Sequence, residues 1–342
     1  MRYVFSGGHA VSTPLPTRVD LGFLDYAFLM PPTWEGHYVP LRDVIRRPEI
    51  LATTDVWVFE SFVYNNHDAN AQGDYHAAID AIRDAGTTVV ANVHGSPEAI
   101  LMGPLFDPWN DGQNHSTLKR VDGLLIHHED QRIASAYEAL TGVPALGLPP
   151  QVDLGTLKGL VDAASASNWE PPEELRDRWL GGALYSRYDV WGRKHDLLMA
   201  ACEMHEIPYT YFHGSVAPDD LLPYEFASVR PHPQVDLLQW IKCLSAARGL
   251  LHVQLGATLG RPSLYAAYLQ KPCIGVAHSW QAALYPDSVV HYDASLLSDL
   301  PAKIGSAESD AAGCRGRLLH EMARMPDRAS RLLTWLEGID KT

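Results

Sequence analysis

The chain has 342 residues, 46% hydrophobic and 20% charged, an ordinary globular composition that excludes disorder and fibre and, at about 100–200 residues per domain, implies two domains. Its formal charge of −14, from 41 acidic and 27 basic side chains, argues against a general polyanion-binding or anionic-membrane surface. No apolar run reaches the ~18–20 residues of a membrane span, the first residues lack a signal-peptide core, and the four cysteines form no CxxC pair, so a cytoplasmic protein with buried, reduced thiols is expected.

Short β-branched or aromatic runs alternate with helical patterns from the first residues onward, the signature of βαβ units and a parallel sheet. Stretches 3–6, 56–60, 88–93 and 123–127 read as strands. Stretch 74–85 reads as a helix, with Tyr75, Ala78, Ile79 and Ile82 on one stripe and Gly86 placed for a left-handed C-cap. From 163 to 177 the chain turns small and polar and carries Pro171-Pro172, which sets a domain boundary. A first domain over 1–165 is therefore expected, then a second over 178–325, then a tail over 326–342 whose apolar-striped helix at 327–336 is able to pack back on the first domain.

The second domain repeats the alternation: strand 182–186, helix 194–205, strand 209–213, helix 235–247, strand 249–254, helix 262–270, and strands 272–277 and 289–292. Residues 1–165 hold 20 acids against 10 bases and the remainder 21 against 17, so the second domain is the better host for an anion. Two places in it suit one. After the strand at 249–254 a Gly-rich turn with Thr258 and Gly260 leads into a helix opened by Arg261-Pro262-Ser263, with proline where its missing N–H costs nothing and outward amides suited to phosphate. After the strand at 182–186 come Arg187, Arg193 and Lys194, and ligands of open α/β sheets bind beyond the carboxyl ends of strands.

In the first domain, residues able to do chemistry stand at strand ends. His94 precedes Gly95-Ser96-Pro97, a turn that leaves an imidazole free to take or give a proton near neutral pH, and Glu60 ends the apolar strand at 55–59 as the second base candidate. Gly7-Gly8-His9 lies in the first strand–helix turn, where backbone can approach a ligand, but lacks the G-x-G-x-x-G spacing of a dinucleotide site, which argues against an NAD enzyme. Tyr64, in an aromatic and polar loop, suits stacking on a sugar or base. The run His127-His128-Glu129-Asp130 has ligand-type residues, but adjacent side chains point apart, so no zinc site is expected there.

The order strand, Arg187, short loop, Lys194, then Asp196-Leu197-Leu198, followed some seventy residues later by Gly260-Arg261-Pro262-Ser263-Leu264 and Pro272-Cys273-Ile274-Gly275, resembles the nucleotide-binding domain of GT-B glycosyltransferases. It is similar to both glycogen-synthase-like and phage-type members. The close of the first domain, from Arg120-Val121-Asp122-Gly123 to Pro149-Pro150-Gln151-Val152-Asp153, is similar to the same group. The resemblance implies an α/β fold of two Rossmann-like doubly wound domains facing across a cleft. It further implies a nucleotide-diphosphate sugar, a UDP-sugar first, held by the second domain, and an unspecified hydroxyl acceptor met mainly by the first, around Gly7, Gly8, His9 and Tyr64.

On that resemblance Arg187 with Arg193 or Lys194 neutralises the diphosphate, the turn from Thr258 through Gly260, Arg261, Pro262 and Ser263 supplies amides and a hydroxyl, His213 and Tyr265 complete the donor side, and no metal or other cofactor is needed. Many retaining members carry two glutamates eight residues apart around this helix; here the positions hold Ala257 and Tyr265. That departure leaves the donor sugar and the stereochemistry open and favours one alternative, a sugar-nucleotide-binding protein without turnover; a second alternative, a hydrolysing nucleotide-sugar epimerase, needs paired carboxylates, for which the sequence offers only Glu60. The acidic first domain disfavours nucleic acid, although the stretch from Ser279 to Pro286 is similar to phage-type enzymes and keeps a hydroxylated DNA base as a minority acceptor.

Overall fold

The computed structural model describes residues 2–6, 35–39, 48–59, 69–93, 116–126, 128–149, 154–185, 195–213, 226–253, 261–277, 279–291 and 293–339. The chain divides into unit 1, Met1–Val152 with Arg324–Thr342, and unit 2, Asp153–Ala323. Each is built on a six-stranded, wholly parallel sheet.

Unit 1 contains strands β1 (Arg2–Ser6), β2 (Glu35–Tyr38), β3 (Val56–Phe59), β4 (Thr88–Val93), β5 (Gly123–Ile126) and β6 (Ala145–Gly147), in the order β2-β1-β3-β4-β5-β6. Its helices are α1 (Pro48–Leu51), α2 (Ala69–Asp84), α3 (Gln131–Thr141) and, from the end of the chain, α10 (Met325–Gly338). Strands β3, β4 and β5 are buried on both faces, and their alternation sorts the two layers. Trp57, Phe59, Val89, Ala91, Leu124 and Ile126 face Ala78, Ile79 and Ile82 of α2 and Ala134 and Tyr137 of α3. The intervening Val56, Val58, Val90 and Leu125 face Leu332 and Leu336 of α10 and Ile339 beyond it. Each such side chain taken out of water contributes ~1.5–3 kcal/mol before the entropy of ordering is charged against it.

Helix α2 begins five residues before the expected 74 and stops where Gly86, at φ +80°, donates its amide to the Arg83 carbonyl at 2.8 Å. Helix α10 runs antiparallel to the strands. A Cβ on Gly123, the first residue of β5, would come within 2.6 Å of Trp335 and 2.8 Å of Ile339, whereas Arg331 donates to the Gly147 carbonyl at the far end of β6, 3.2 Å away.

Unit 2 contains α4 (Leu154–Ala166), β7 (Trp179–Tyr185), α5 (His195–Met204), β8 (Tyr209–His213), β9 (Val229–Pro233), α6 (Leu237–Ala246), β10 (Gly249–His252), α7 (Arg261–Tyr268), β11 (Cys273–Val276), α8 (Ser279–Leu284), β12 (Val289–Val290) and α9 (Leu296–Ala323). The composition break at 163–177 assigns α4 to the first domain. The structure places it in unit 2, because it packs on α6 and because Lys242 of α6 donates to the Ser167 carbonyl at 2.7 Å and pairs with Glu170 at 2.9 Å. A polar, proline-containing stretch therefore marks a surface crossing inside unit 2, not its border.

All four cysteines are buried and unpaired with one another; burial pushes the Cys202, Cys273 and Cys314 thiols up and that of Cys243 to about 12, so they are neutral at physiological pH. No helix among the described residues is long and apolar enough to cross a membrane.

Candidate functional site

The strands of unit 2 lie in the order β12-β11-β10-β7-β8-β9, so the chain leaves β7 to one side for β8 and β9, then crosses to the other side for β10, β11 and β12. The reversal falls between β7 and β10, and in an open α/β sheet the crevice beyond the carboxyl ends of that pair is where ligands bind. The two segments singled out for anion binding leave the sheet from these two strands. Arg187, Arg193 and Lys194 follow β7, and Thr258 and Gly260 follow β10; all five lie outside the described residues.

Helix α7 opens at Arg261 and Pro262, and its first amides lack intrahelical acceptors, as at any helix start. Behind this start stands a buried polar cluster. The Ser263 hydroxyl, fully buried, donates to Gln281 Oε1 at 3.0 Å; the Cys273 thiol donates to the same oxygen at 3.1 Å; Gln281 Nε2 donates to the Cys273 carbonyl at 3.1 Å. Ser263 therefore anchors α7 to α8 and β11 with its side chain, which leaves its backbone amide as the group at the helix start. Tyr265, at the position of the expected hydrogen bond to a sugar, is 6% exposed and packs edge-on against Trp240 of α6, ring centroids 6.0 Å apart. His213 is the last residue of β8, beside Tyr185 of β7, and its carbonyl accepts the Gln234 amide at 2.9 Å.

Within the sheet, on the two strands of the switch point, lie two features that sequence reasoning missed. Against β8, β7 slips register: the four-residue step from Leu180 to Leu184 spans only Thr210 to Phe212 on the partner. This bulge is built on Gly181-Gly182, and both glycines are needed for close approach. A Cβ on Gly181 would lie 2.7 Å from the Tyr209 hydroxyl, and one on Gly182 would collide with the imidazole of His252, the last residue of β10. His252 is 2% exposed. The signal was present as a Gly-Gly pair within a strand-like run and a histidine ending the apolar run Leu250-Leu251.

In unit 1, β1, β3 and β4 are adjacent and parallel, so Ser6, Phe59 and Val93 end at one edge of the sheet. Gly7, Gly8 and His9 follow the first, Glu60 the second and His94 the third; these residues, and Tyr64, lie outside the described residues. Along the same edge, Glu129 accepts from Arg324 at 2.8 Å and Arg328 at 3.4 Å, with Arg331 at 4.0 Å, which fixes the start of α10 to the end of β5. His128 Nδ1 accepts the Asp130 amide at 3.0 Å, a bond that places the proton of the neutral ring on Nε2. Among the described residues no group of three or more His, Cys, Asp or Glu side chains is placed to hold a metal.

No family model and no curated protein matches the sequence. Solved structures do match along almost the whole chain. The N-terminal domain of trehalose-6-phosphate phosphatase from Candida albicans aligns over 99% of this chain and 97% of its own at 9% identity and a TM-score of 0.59. The E. coli trehalose-6-phosphate protein solved with UDP-2-fluoro glucose aligns over 99% and 100% at 12% identity and a TM-score of 0.58. HepE of Anabaena in complex with UDP-glucose aligns over 98% and 99%, again at 12% identity and 0.58. The fold is GT-B. Units 1 and 2 are its two Rossmann-like halves, and the β7–β10 switch point belongs to the second of them.

Proposed function

We propose that the protein is a glycosyltransferase that moves a sugar from a nucleotide-diphosphate sugar, a UDP-sugar in the first instance, to a hydroxyl acceptor without a metal ion. The observation that carries this reading is the adjacency of β7 and β10 at the switch point of unit 2. The segment bearing Arg187, Arg193 and Lys194 leaves one central strand, and the turn into the α7 N-terminus leaves the other. Similar structures solved with UDP-glucose and UDP-2-fluoro glucose, each covering nearly all of this chain, support the donor class.

In this reading the donor's diphosphate lies against Arg187, with Arg193 or Lys194, and against the α7 amides, so that negative charge developing on the leaving group meets fixed positive charge. The acceptor hydroxyl loses its proton to His94, with Glu60 as the second candidate base, while Gly7, Gly8, His9 and Tyr64 border the acceptor. Titration of the purified protein with nucleoside diphosphates and their sugars, with and without a chelator, tests the donor half. One base is expected to bind, indifferent to chelator, and to be lost in Arg187→Ala; no response to any nucleotide overturns the reading. His94→Ala is expected to cut turnover while leaving donor affinity nearly intact, and full turnover in that variant would remove His94 from the chemistry.

One observation favours a sugar-nucleotide-binding protein that does not turn over. Tyr265 packs against Trp240 at a position where the resemblance expects a glutamate, so no carboxylate is offered there to the sugar hydroxyls. Donor binding with neither transfer to any acceptor nor hydrolysis would decide for that reading.

A further inference from the structure

We infer that the outward face of α9 is a dimer interface, on which a second copy of this chain lays its own α9 antiparallel. Along that face Gly305, Ser309, Ala312, Gly316, Leu319 and Ala323 follow one another at alternating steps of four and three, the spacing of a seam that packs on a second helix. All six are exposed, and Leu319, at 51%, is one of two large apolar side chains that the described residues leave in the open. Helix α10 shows an ordinary outward face by contrast, with Asp327, Ser330, Thr334 and Glu337 turned to solvent. Glycine inside a helix is also less stable than alanine, yet a Cβ on Gly305 or Gly316 would meet nothing within 4 Å. No contact among the described residues calls for the missing side chains, whereas a second helix at close approach does.

The charges beside the seam choose the partner and its direction. Glu308 and Arg315 each precede a seam residue, Ser309 and Gly316, and so share one flank, while the other flank carries Ser306, Gly313 and His320. Two antiparallel copies related by a two-fold axis set Gly305 against Gly316 of the second copy and Ser309 against its Ala312. The same register brings Glu308 opposite Arg315 of the other copy, twice over. A parallel pair would instead set Glu308 against Gly313 and Arg315 against His320, with no ion pair formed. Both charged groups have capacity for the contact. Arg248 directs Nε and Nη2 to one oxygen of Glu308, Oε1, at 3.1 and 2.7 Å, which leaves Oε2 for another donor. Arg315 lies with its guanidinium 4.8 Å from the centre of the Tyr268 ring, an arrangement that keeps N–H groups for an acceptor. A surface that complements itself in this way is what an isologous dimer requires.

The test is sedimentation of the full chain over a range of concentrations, on wild type, Gly316→Lys, Glu308→Arg, Arg315→Glu and the double variant Glu308→Arg/Arg315→Glu. Wild type is expected to form a dimer with a dissociation constant at or below about 10 μM. Gly316→Lys puts its side chain where this chain has open space, so it should stay monomeric with a thermal midpoint no lower than that of wild type diluted to monomer. Each charge reversal alone should weaken the dimer at least about tenfold, because it sets like charges opposite one another. Mixing the two single variants, or joining both changes in one chain, should return association to within about threefold of wild type. That rescue is specific to the antiparallel register. Wild type still monomeric at about 100 μM overturns the proposal. So does a dimer that survives Gly316→Lys, or one whose charge reversals are not rescued by mixing.

Discussion

Strand β4 of unit 1 and strand β7 of unit 2 both run through the middle of a six-stranded parallel sheet, yet they are built to opposite rules. The sequence of β4, Thr-Val-Val-Ala-Asn-Val, is buried along its whole length and keeps regular register with both neighbours. β7, Trp-Leu-Gly-Gly-Ala-Leu-Tyr, loses register halfway and passes two side-chain tips, the Tyr209 hydroxyl and the His252 ring, at distances no Cβ would tolerate. β-Branched residues make β4 a piece of core. The glycines of β7 give up packing to bring other groups close. A strand that breaks its own propensity at a topological switch point is a local departure of the kind that flags a candidate site.

Replacing a core residue of the regular sheet should give the largest loss of stability and leave ligand binding alone. Leu125→Ala, fully buried in β5, is expected to cost about 2–5 kcal/mol in denaturant unfolding with UDP affinity unchanged per folded molecule. A matching loss of affinity would erase the contrast between the units. In the bulged strand, Gly181→Ala is expected to cost about 1–3 kcal/mol through overpacking on the Tyr209 hydroxyl, and Gly181→Ala/Tyr209→Phe to regain part of it, since the colliding atom is then gone. If the double variant is no more stable than the single one, the bulge is not held by this contact.

Gln281→Leu, which removes the acceptor of Ser263 and Cys273, should cost about 1–3 kcal/mol because two buried polar groups lose their partner. Its effect on UDP should exceed that of Leu125→Ala if the α7 start is part of the site. The smallest expected effects are at helix caps. Asp236→Ala in unit 2 and Asp130→Ala in unit 1 should each cost about 1 kcal/mol near neutral pH. The pH dependence of the Asp130 cap sharpens the comparison. Hydrogen bonds from the Arg132 side chain and amide hold the Asp130 carboxyl down at about 2, so its contribution is present above the ordinary carboxylate range and disappears as pH falls toward 2. Thermal midpoints of wild type and Asp130→Ala should therefore converge in that window.

What the sequence made legible follows from signal strength. Strand β4 and the strand 209–213 coincide with their expected bounds because β-branched or aromatic runs flanked by turn residues leave little choice. Helix α3 was passed over although its signals stand in the chain: Asp130 accepts the Arg132 amide at 2.9 Å as N-cap, and Gly142 takes a left-handed C-cap at φ +74°. Strand β6 has three residues, and no periodicity can be read from three. The start of β7 was misplaced because Gly181-Gly182 reads as the opening of a strand when it is the interior of one. His252 was missed for a related reason: its meaning depends on Gly182, seventy positions earlier, and only sheet pairing brings the two together. Of the donor-side residues, Ser263 and Tyr265 were singled out by motif, and the structure shows both side chains committed to internal contacts, a distinction that no linear pattern carries.

The last helix has a consequence for how the molecule is made. One face of the first sheet, Val56, Val58, Val90 and Leu125, receives its cover from Leu332, Leu336 and Ile339. At a ribosome adding about 5–20 residues per second, that apolar face waits through the synthesis of all of unit 2, some ten to thirty seconds, before its partner emerges. Unit 1 thus begins before unit 2 and is completed after it, and for that interval the valines of this face lack their cover.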